Sequence, residues 1–204
     1  MVEKFLNSKD KNKVFQVLKR YYGLNIQVCK SLFNESAFML SNKLKLYIFS
    51  NAKHLDSLLS IKGFKIKINS IGLYFASLSF NNEAQRKHFI SKLNISKIND
   101  FNLRPSIEGS HIIARFASKN IVSLSSEQAM QWMQGLDIVL TKQQAQLISC
   151  KHPLLLFKNH ALGSGIFVRK QETFKILNHV PKHRRVLQQR FLNNFFNVKF
   201  LTLS

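Results

Sequence analysis

The sequence predicts an α+β fold, with a small mixed α/β unit over residues 1–100 and a small curled β-sheet or barrel over residues 101–204. Three observations carry this. Apolar residues make up 45% of the 204-residue chain, enough for a packed core and too many for a disordered basic tail. The first half holds both a helical stripe and period-two runs. Beyond Gly135 the chain becomes short apolar runs cut by turns, the close strand spacing of a small barrel.

Taken in order, residues from Glu3 to Tyr22 read as a helix. Val14, Val17, Leu18, Tyr21 and Tyr22 recur at helical spacing, and Gly23 stops the run. Leu44, Leu46 and Ile48 alternate with Lys45, Tyr47 and Phe49, and Phe64, Ile66 and Ile68 alternate with Lys65, Lys67 and Asn69. Each is a strand with an apolar inner face and lysines facing water. Leu73 to Leu78 reads as a further buried strand after Gly72. Asn81 to Lys97 reads as a polar helix, whose Arg86, Lys87, His88 and Lys92 fit a solvated surface better than a functional basic face. Pro105 draws Arg104 toward extended geometry and marks a boundary or a strand start. Ile112, Ile113, Ala114 and Phe116 then read as a buried strand.

Ser125 to Gln134 carries a local helix signature. Ser125 and Gln128 fit a capping box, and Gly135 sits where a C-cap glycine belongs. Ala129, Trp132 and Met133 share one face, a pattern of core packing more than of a base-stacking platform. Leu154 to Phe157, Ile166 to Val168, Phe174 to Val180 and the alternating Phe196, Val198 and Phe200 read as the closing strands, with Gly163-Ser164-Gly165 opening the second of them.

Charge supplies the functional signal. Thirty-one Lys and Arg stand against ten Asp and Glu, a formal charge of +21. From Ile138 to Ser204 there are eleven Lys or Arg and a single acid, Glu172. Four of the seven histidines, His152, His160, His179 and His183, fall in the same stretch. A folded chain with this balance calls for a polyanionic partner, and nucleic acid comes before an anionic membrane. Lys, Asn, Ile and Phe are abundant enough that genome composition contributes to the charge. The opening residues MVEKFLNSKDKNK lack the apolar core of a signal peptide, and no run of about 18 apolar residues occurs. A cytoplasmic protein without a membrane partner is expected.

Catalytic and metal patterns are weak. No Walker-type phosphate loop is present, and Gly163 and Gly165 lack both a third glycine and a following helix. Cofactor and metal are therefore expected to be none. His179 and His183 are four apart, but Pro181 between them breaks the helix that would align them on a metal. Cys29 and Cys150 cannot form a disulfide framework and read as buried thiols of a reducing compartment. An activated thiolate at Cys150 beside Lys151 and His152 is disfavoured, because neighbours in a strand face opposite ways.

The stretch KHPLLLFKNHALGSGIFVRKQETFKILNHVPKHRR, Lys151 to Arg185, resembles the core of a PUA domain, with Leu162-Gly163-x-Gly165 at the strand opening, a short basic hairpin and an xPxxRR-like ending. The helix Ser125 to Gly135 with Leu136-Asp137-Ile138 is similar to the helix and turn of that domain. SIGLYF (Ser70 to Phe75) and NLRPSIEGSHIIA (Asn102 to Ala114) resemble the pre-PUA half and junction of the Nip-seven ribosome-biogenesis factors and of the RNA-binding tail of Sun-family RNA cytosine methyltransferases. The resemblance covers about three quarters of the chain. The stretch Asn81 to Asn99 looks like an insertion, and the ending Val186 to Ser204 has no counterpart.

The resemblance implies a pre-PUA domain followed by a PUA-like pseudo-barrel that binds structured RNA without catalysis. The expected RNA is ribosomal RNA or its precursor in large-subunit biogenesis, alongside other ribosome-assembly proteins, with a nucleolar location in a eukaryote. The alternative is a stand-alone targeting subunit that delivers a cytosine methyltransferase to tRNA or rRNA. Neither Cys29 nor Cys150 follows a proline, as the nucleophile of such a methyltransferase would. The expected RNA contacts are Lys151, His152, Lys158, His160, Gly163, Gly165, Arg169, Lys170, Lys175, Lys182, His183, Arg184 and Arg185. The cations lie in or beside turns and reach phosphates. The histidines add donors near neutral pH, and the glycines let backbone approach a strand or RNA. Arg184 and Arg185 read as free surface cations whose loss leaves stability nearly unchanged. Lys45 and Lys67 read as solvent-facing lysines outside the footprint.

Overall fold

A computed structural model describes residues 4–50, 72–80, 82–92, 95 and 101–186. The fold is α+β with three sheets. The first sheet is β1 (Lys4–Phe5), β2 (Ser36–Leu40), β3 (Lys45–Ser50), β4 (Leu73–Ser79) and β5 (Asn102–Pro105), in that order and antiparallel throughout. Helices α1 (Ser8–Tyr22) and α2 (Ile26–Leu32) precede β2, and α3 (Glu83–Lys92) follows β4.

Helix α1 begins later than its periodicity suggests. Asn7 takes the N-cap and accepts from the Asp10 backbone N–H at 2.9 Å, while Lys4 and Phe5 pair with β2. An Asn cap satisfies an otherwise orphaned donor, so the helix starts there. Val14, Phe15, Val17, Leu18 and Tyr22 form its buried stripe, and Gly23 closes it in the left-handed region at φ 72°. Phe15, Phe33, Phe38 and Phe75 meet mostly edge to face in the core, the geometry that aromatic quadrupoles favour.

The stretch around Ile112 and Ile113 is helical, where a strand was expected. Helix α4 spans Ile107–Ala114, and the Ser106 hydroxyl caps it by accepting from the Gly109 N–H at 2.9 Å. A short apolar run carries no period of its own, so the cap decides. Gly109 then lets α4 lie directly on β4, since a Cβ there would overlap the Phe75 carbonyl oxygen.

The C-terminal half forms two three-stranded sheets. In one, β6 (Ile121–Ser123) runs parallel to β8 (Leu154–Phe157), which pairs antiparallel with β9 (His160–Ser164). In the other, β10 (Ile166–Lys170) pairs with β11 (Thr173–Leu177), and β11 with β7 (Ile138–Val139). Only Gly165 separates β9 from β10, so the chain passes from one sheet to the other at that residue. The expected strand from Phe174 stops at Leu177, because the Asn178 side chain turns the backbone by accepting from Val180 N at 2.7 Å. Helix α5 (Ser126–Gln134) has the capping box on Ser125 and Gln128 and a left-handed Gly135. Helix α6 (Lys142–Gln146) has a second box on Thr141 and Gln144, and the Gln128 and Gln144 side chains bond each other. The expected strands at Phe64 to Asn69 and Phe196 to Phe200 lie outside the described residues.

Two hydrophobic clusters result. The first surrounds α1 and the five-stranded sheet and takes in Ile113, Cys150 and Leu154. The second surrounds Trp132, with Val122, Leu155 and Ile176. Strand β5, beyond residue 100, completes the first sheet. Polar pins join the halves. The Tyr22 hydroxyl, fully buried, lies 2.8 Å from the His152 carbonyl and 3.1 Å from the Leu103 carbonyl. Asn120 donates to the Tyr21 carbonyl at 2.5 Å and accepts from Ser149 N at 2.5 Å. Among the described residues no helix is long and apolar enough to cross a membrane.

Replacing Tyr22 by Phe removes the hydroxyl and leaves carbonyls buried without their donor. We expect a loss of about 1–3 kcal/mol, read as a lower urea midpoint with an unchanged slope.

Candidate nucleic-acid interface

Where the two halves meet, a cleft of about 280 Å³ opens. Its N-terminal wall is a row across three strands. Lys45 on β3 stands opposite Ser77 on β4, and Ser77 stands opposite Arg104 on β5. Residues directly opposite in antiparallel strands share a face, so Lys45 and Arg104 emerge together on the face away from Leu46 and Ala76. The Lys45 ammonium lies 5.2 Å from the centre of the Tyr74 ring, within cation–π range.

The opposite wall comes from the segment after β11. His179, Val180, Pro181, His183 and Arg184 line it, the last two in a 3-10 turn over Lys182–Arg184. Trp132 closes one side, its indole N–H held by the Leu162 carbonyl at 3.1 Å. The first turn of α4 brings Glu108, which pairs with Arg184. The Ser164 hydroxyl donates to the Pro105 carbonyl at 2.7 Å and ties β9 to β5 beneath the cleft.

The electrostatics are those of an excess of cations. Burial lowers the His179 pKa from its ordinary 6.5, the Arg104 charge lowers it further, and Asp137 opposes both. At Glu108 burial pushes the carboxyl up. Its backbone hydrogen bond and Arg184 outweigh that and hold it below the usual carboxylate range.

The predicted contacts do not form one patch. His183 and Arg184 reach the cleft and Lys182 is exposed beside it. Lys158 and His160 are exposed at the β8–β9 tip, where Lys158 and Asn159 both have positive φ, as a tight hairpin turn requires. Arg169, Lys170 and Lys175 belong to the β10–β11 hairpin. Lys170 and Lys175 line a second groove of about 380 Å³ with Asp137, and Arg169 lies over Phe174 at 5.3 Å. The two hairpin tips stand at opposite ends of the β9–β10 run. Lys151 is exposed, with its carbonyl accepting from Phe167 N at 2.9 Å.

Several sequence expectations are corrected here. His152 is 3% exposed. Its Nδ1 lies 3.3 Å from the Gly165 carbonyl and its Nε2 3.2 Å from the Ser79 hydroxyl. Burial, with the charges of Arg104, Lys151 and His179, lowers its pKa to about 4 against the raising effect of the Gly165 bond. It is a neutral internal pin and no surface donor. Gly163 and Gly165 are buried as well. A Cβ on Gly165 would overlap the Ile176 side chain and come 2.9 Å from the Leu177 carbonyl, and Gly163, at φ 127°, sits beside Ile107 and Trp132. Both serve strand packing. Arg184 is paired with Glu108, and Arg185 is half-buried, donating from Nε to the Val180 carbonyl at 3.1 Å while covering Gly135. Neither is a free surface cation. Lys45 faces the cleft, and Lys67 lies outside the described residues.

Lys45, Arg104 and His179 were missed as site residues. The alternation of β3 does put Lys45 on the outer face, but only the register with β4 and β5 sets it beside Arg104. Burial pushes the Cys29 and Cys150 thiols up to about 11, so neither is a thiolate at neutral pH. Among the described residues no three His, Cys, Asp or Glu side chains gather as a metal site. No protein-family model matches the chain, and no curated protein matches it.

The buried His152 makes stability acid-sensitive. Its folded pKa lies below that of the unfolded chain, so the unfolded state takes up the proton first as pH falls. Stability is complete above about pH 6.5 and is lost toward pH 4. We expect about 2 kcal/mol less between pH 7.5 and pH 5, measured by urea denaturation, and a flatter profile for His152→Gln.

Proposed function

We propose that this protein binds structured RNA through its phosphate backbone and performs no chemistry on it. The observation that carries the reading is the convergence of Lys45, Arg104 and Arg184, from three separate parts of the chain, around an open cleft where Glu108 is the one carboxylate among the described residues. A chain at +21 gains from releasing counterions off a polyanion. The cations at the two hairpin tips extend the footprint beyond the cleft. Groups spread this widely suit a folded RNA, whose backbone and 2′-hydroxyls are presented over a broad surface and are read as shape.

The resemblance to the Nip-seven factors points this RNA-binding reading at ribosomal RNA or its precursor. Sedimentation of a lysate distinguishes the settings. Migration with large-subunit precursors supports an assembly factor, and migration with tRNA-sized material supports a targeting subunit for a methyltransferase.

Binding to a folded RNA should weaken steeply with salt. With about 5 phosphates neutralised, the log–log slope should be roughly −4. Filter binding over a salt series checks it, and an affinity indifferent to salt overturns the electrostatic reading. Lys158→Ala and Lys170→Ala should each reduce the slope by about one while leaving the unfolding free energy within about 0.5 kcal/mol of wild type.

A further inference from the structure

The cleft's cations are not equivalent. Arg184 is already engaged by Glu108, and Lys45 rests on the Tyr74 ring. Arg104 is half-buried on β5, and among the described residues no hydrogen bond or ion pair occupies its guanidinium. Its charge is felt instead by two histidines: with burial it lowers the pKa of His179, where Asp137 opposes it, and of His152. A partly desolvated guanidinium without an anion is costly unless a ligand supplies one. Among the described residues, Glu108 is the only carboxylate lining the cleft.

We propose that the cleft is a subsite for a single phosphate group of the RNA, in which Arg104 is the standing anchor and Glu108 is a resident stand-in that the phosphate displaces from Arg184. The phosphate takes the fork of Arg104 first, the geometry that planar guanidinium offers to paired oxygens. Arg184 then exchanges the Glu108 carboxylate for the second phosphate oxygen. Glu108 keeps its backbone hydrogen bond at the start of α4, so its release does not orphan the carboxylate. Three cations against one carboxylate leave room for the added negative charge. The volume of about 280 Å³ exceeds a bare phosphate and admits the adjoining sugar. The source of the phosphate rests on the RNA-binding reading, and the site itself does not.

Two measurements separate the claims. In the first, inorganic phosphate is titrated into the full chain while the His179 ring protons are followed by NMR across pH. An anion at Arg104 cancels the field that, with burial and against Asp137, holds His179 down, so its midpoint should rise in wild type and stay put in Arg104→Gln. A His179 midpoint unmoved by phosphate in wild type overturns the subsite, whatever RNA does. In the second, affinity for a folded RNA is measured at fixed salt. Glu108→Gln should bind about three- to tenfold tighter. Arg104→Gln should bind at least about tenfold weaker, with Arg104→Lys between it and wild type. Unchanged affinity in Glu108→Gln overturns the stand-in role. A phosphate response at His179 together with no RNA binding upholds the subsite and removes RNA as its source. RNA binding with an unresponsive His179 does the reverse.

Discussion

The Tyr22 hydroxyl, buried between the carbonyls of Leu103 and His152, is the interaction on which the arrangement of the two halves depends. It joins the end of α1, the edge strand β5 and the segment entering β8 at one point. A buried polar pin is directional where hydrophobic contact is not. It therefore selects one way of apposing the two clusters among several that would bury similar apolar area. His152 extends the pin. Its ring reaches Ser79 on β4 from one nitrogen and the Gly165 carbonyl from the other, and burial with the nearby cations keeps it a neutral imidazole.

This apposition creates the cleft. β5 carries Arg104 to the sheet edge, and Ser164 fastens the end of β9 to Pro105. The segment after β11 then has to pass above β5 and α4, which puts His179, His183 and Arg184 opposite Lys45 and Arg104. A chain at +21 pays for its charge in self-repulsion. Concentrating cations on a shared concave surface adds to that cost and focuses the field where a polyanion can relieve it. Three of the ten acids are already engaged by cations, Asp10 with Lys4, Glu83 with Arg86 and Glu108 with Arg184.

Much of the fold was legible because its signals are local. A cap, a stop glycine or an alternating run is completed within a few residues. The C-terminus of α1 at Gly23, β3, β4, β8 and the Ser125 capping box could accordingly be read from the chain alone. The same reading failed at Ile112 and Ile113, where a short apolar run has no period and the Ser106 cap and the Gly109 contact with Phe75 decide for a helix. It also overlooked α2, β2 and α6, whose short lengths leave little periodicity to detect.

The candidate site divides along the same line. The excess of Lys and Arg over acids is legible from the chain alone, because net charge is a sum and needs no geometry. Which cations act together belongs to the tertiary structure. Lys45 and Arg104 are 59 positions apart and become neighbours only through the register of β3, β4 and β5. His152, His160 and His183 look alike in sequence. The first is enclosed and neutral, while the other two are exposed. Burial and cross-strand register are set by residues far away along the chain, and no local pattern contains them.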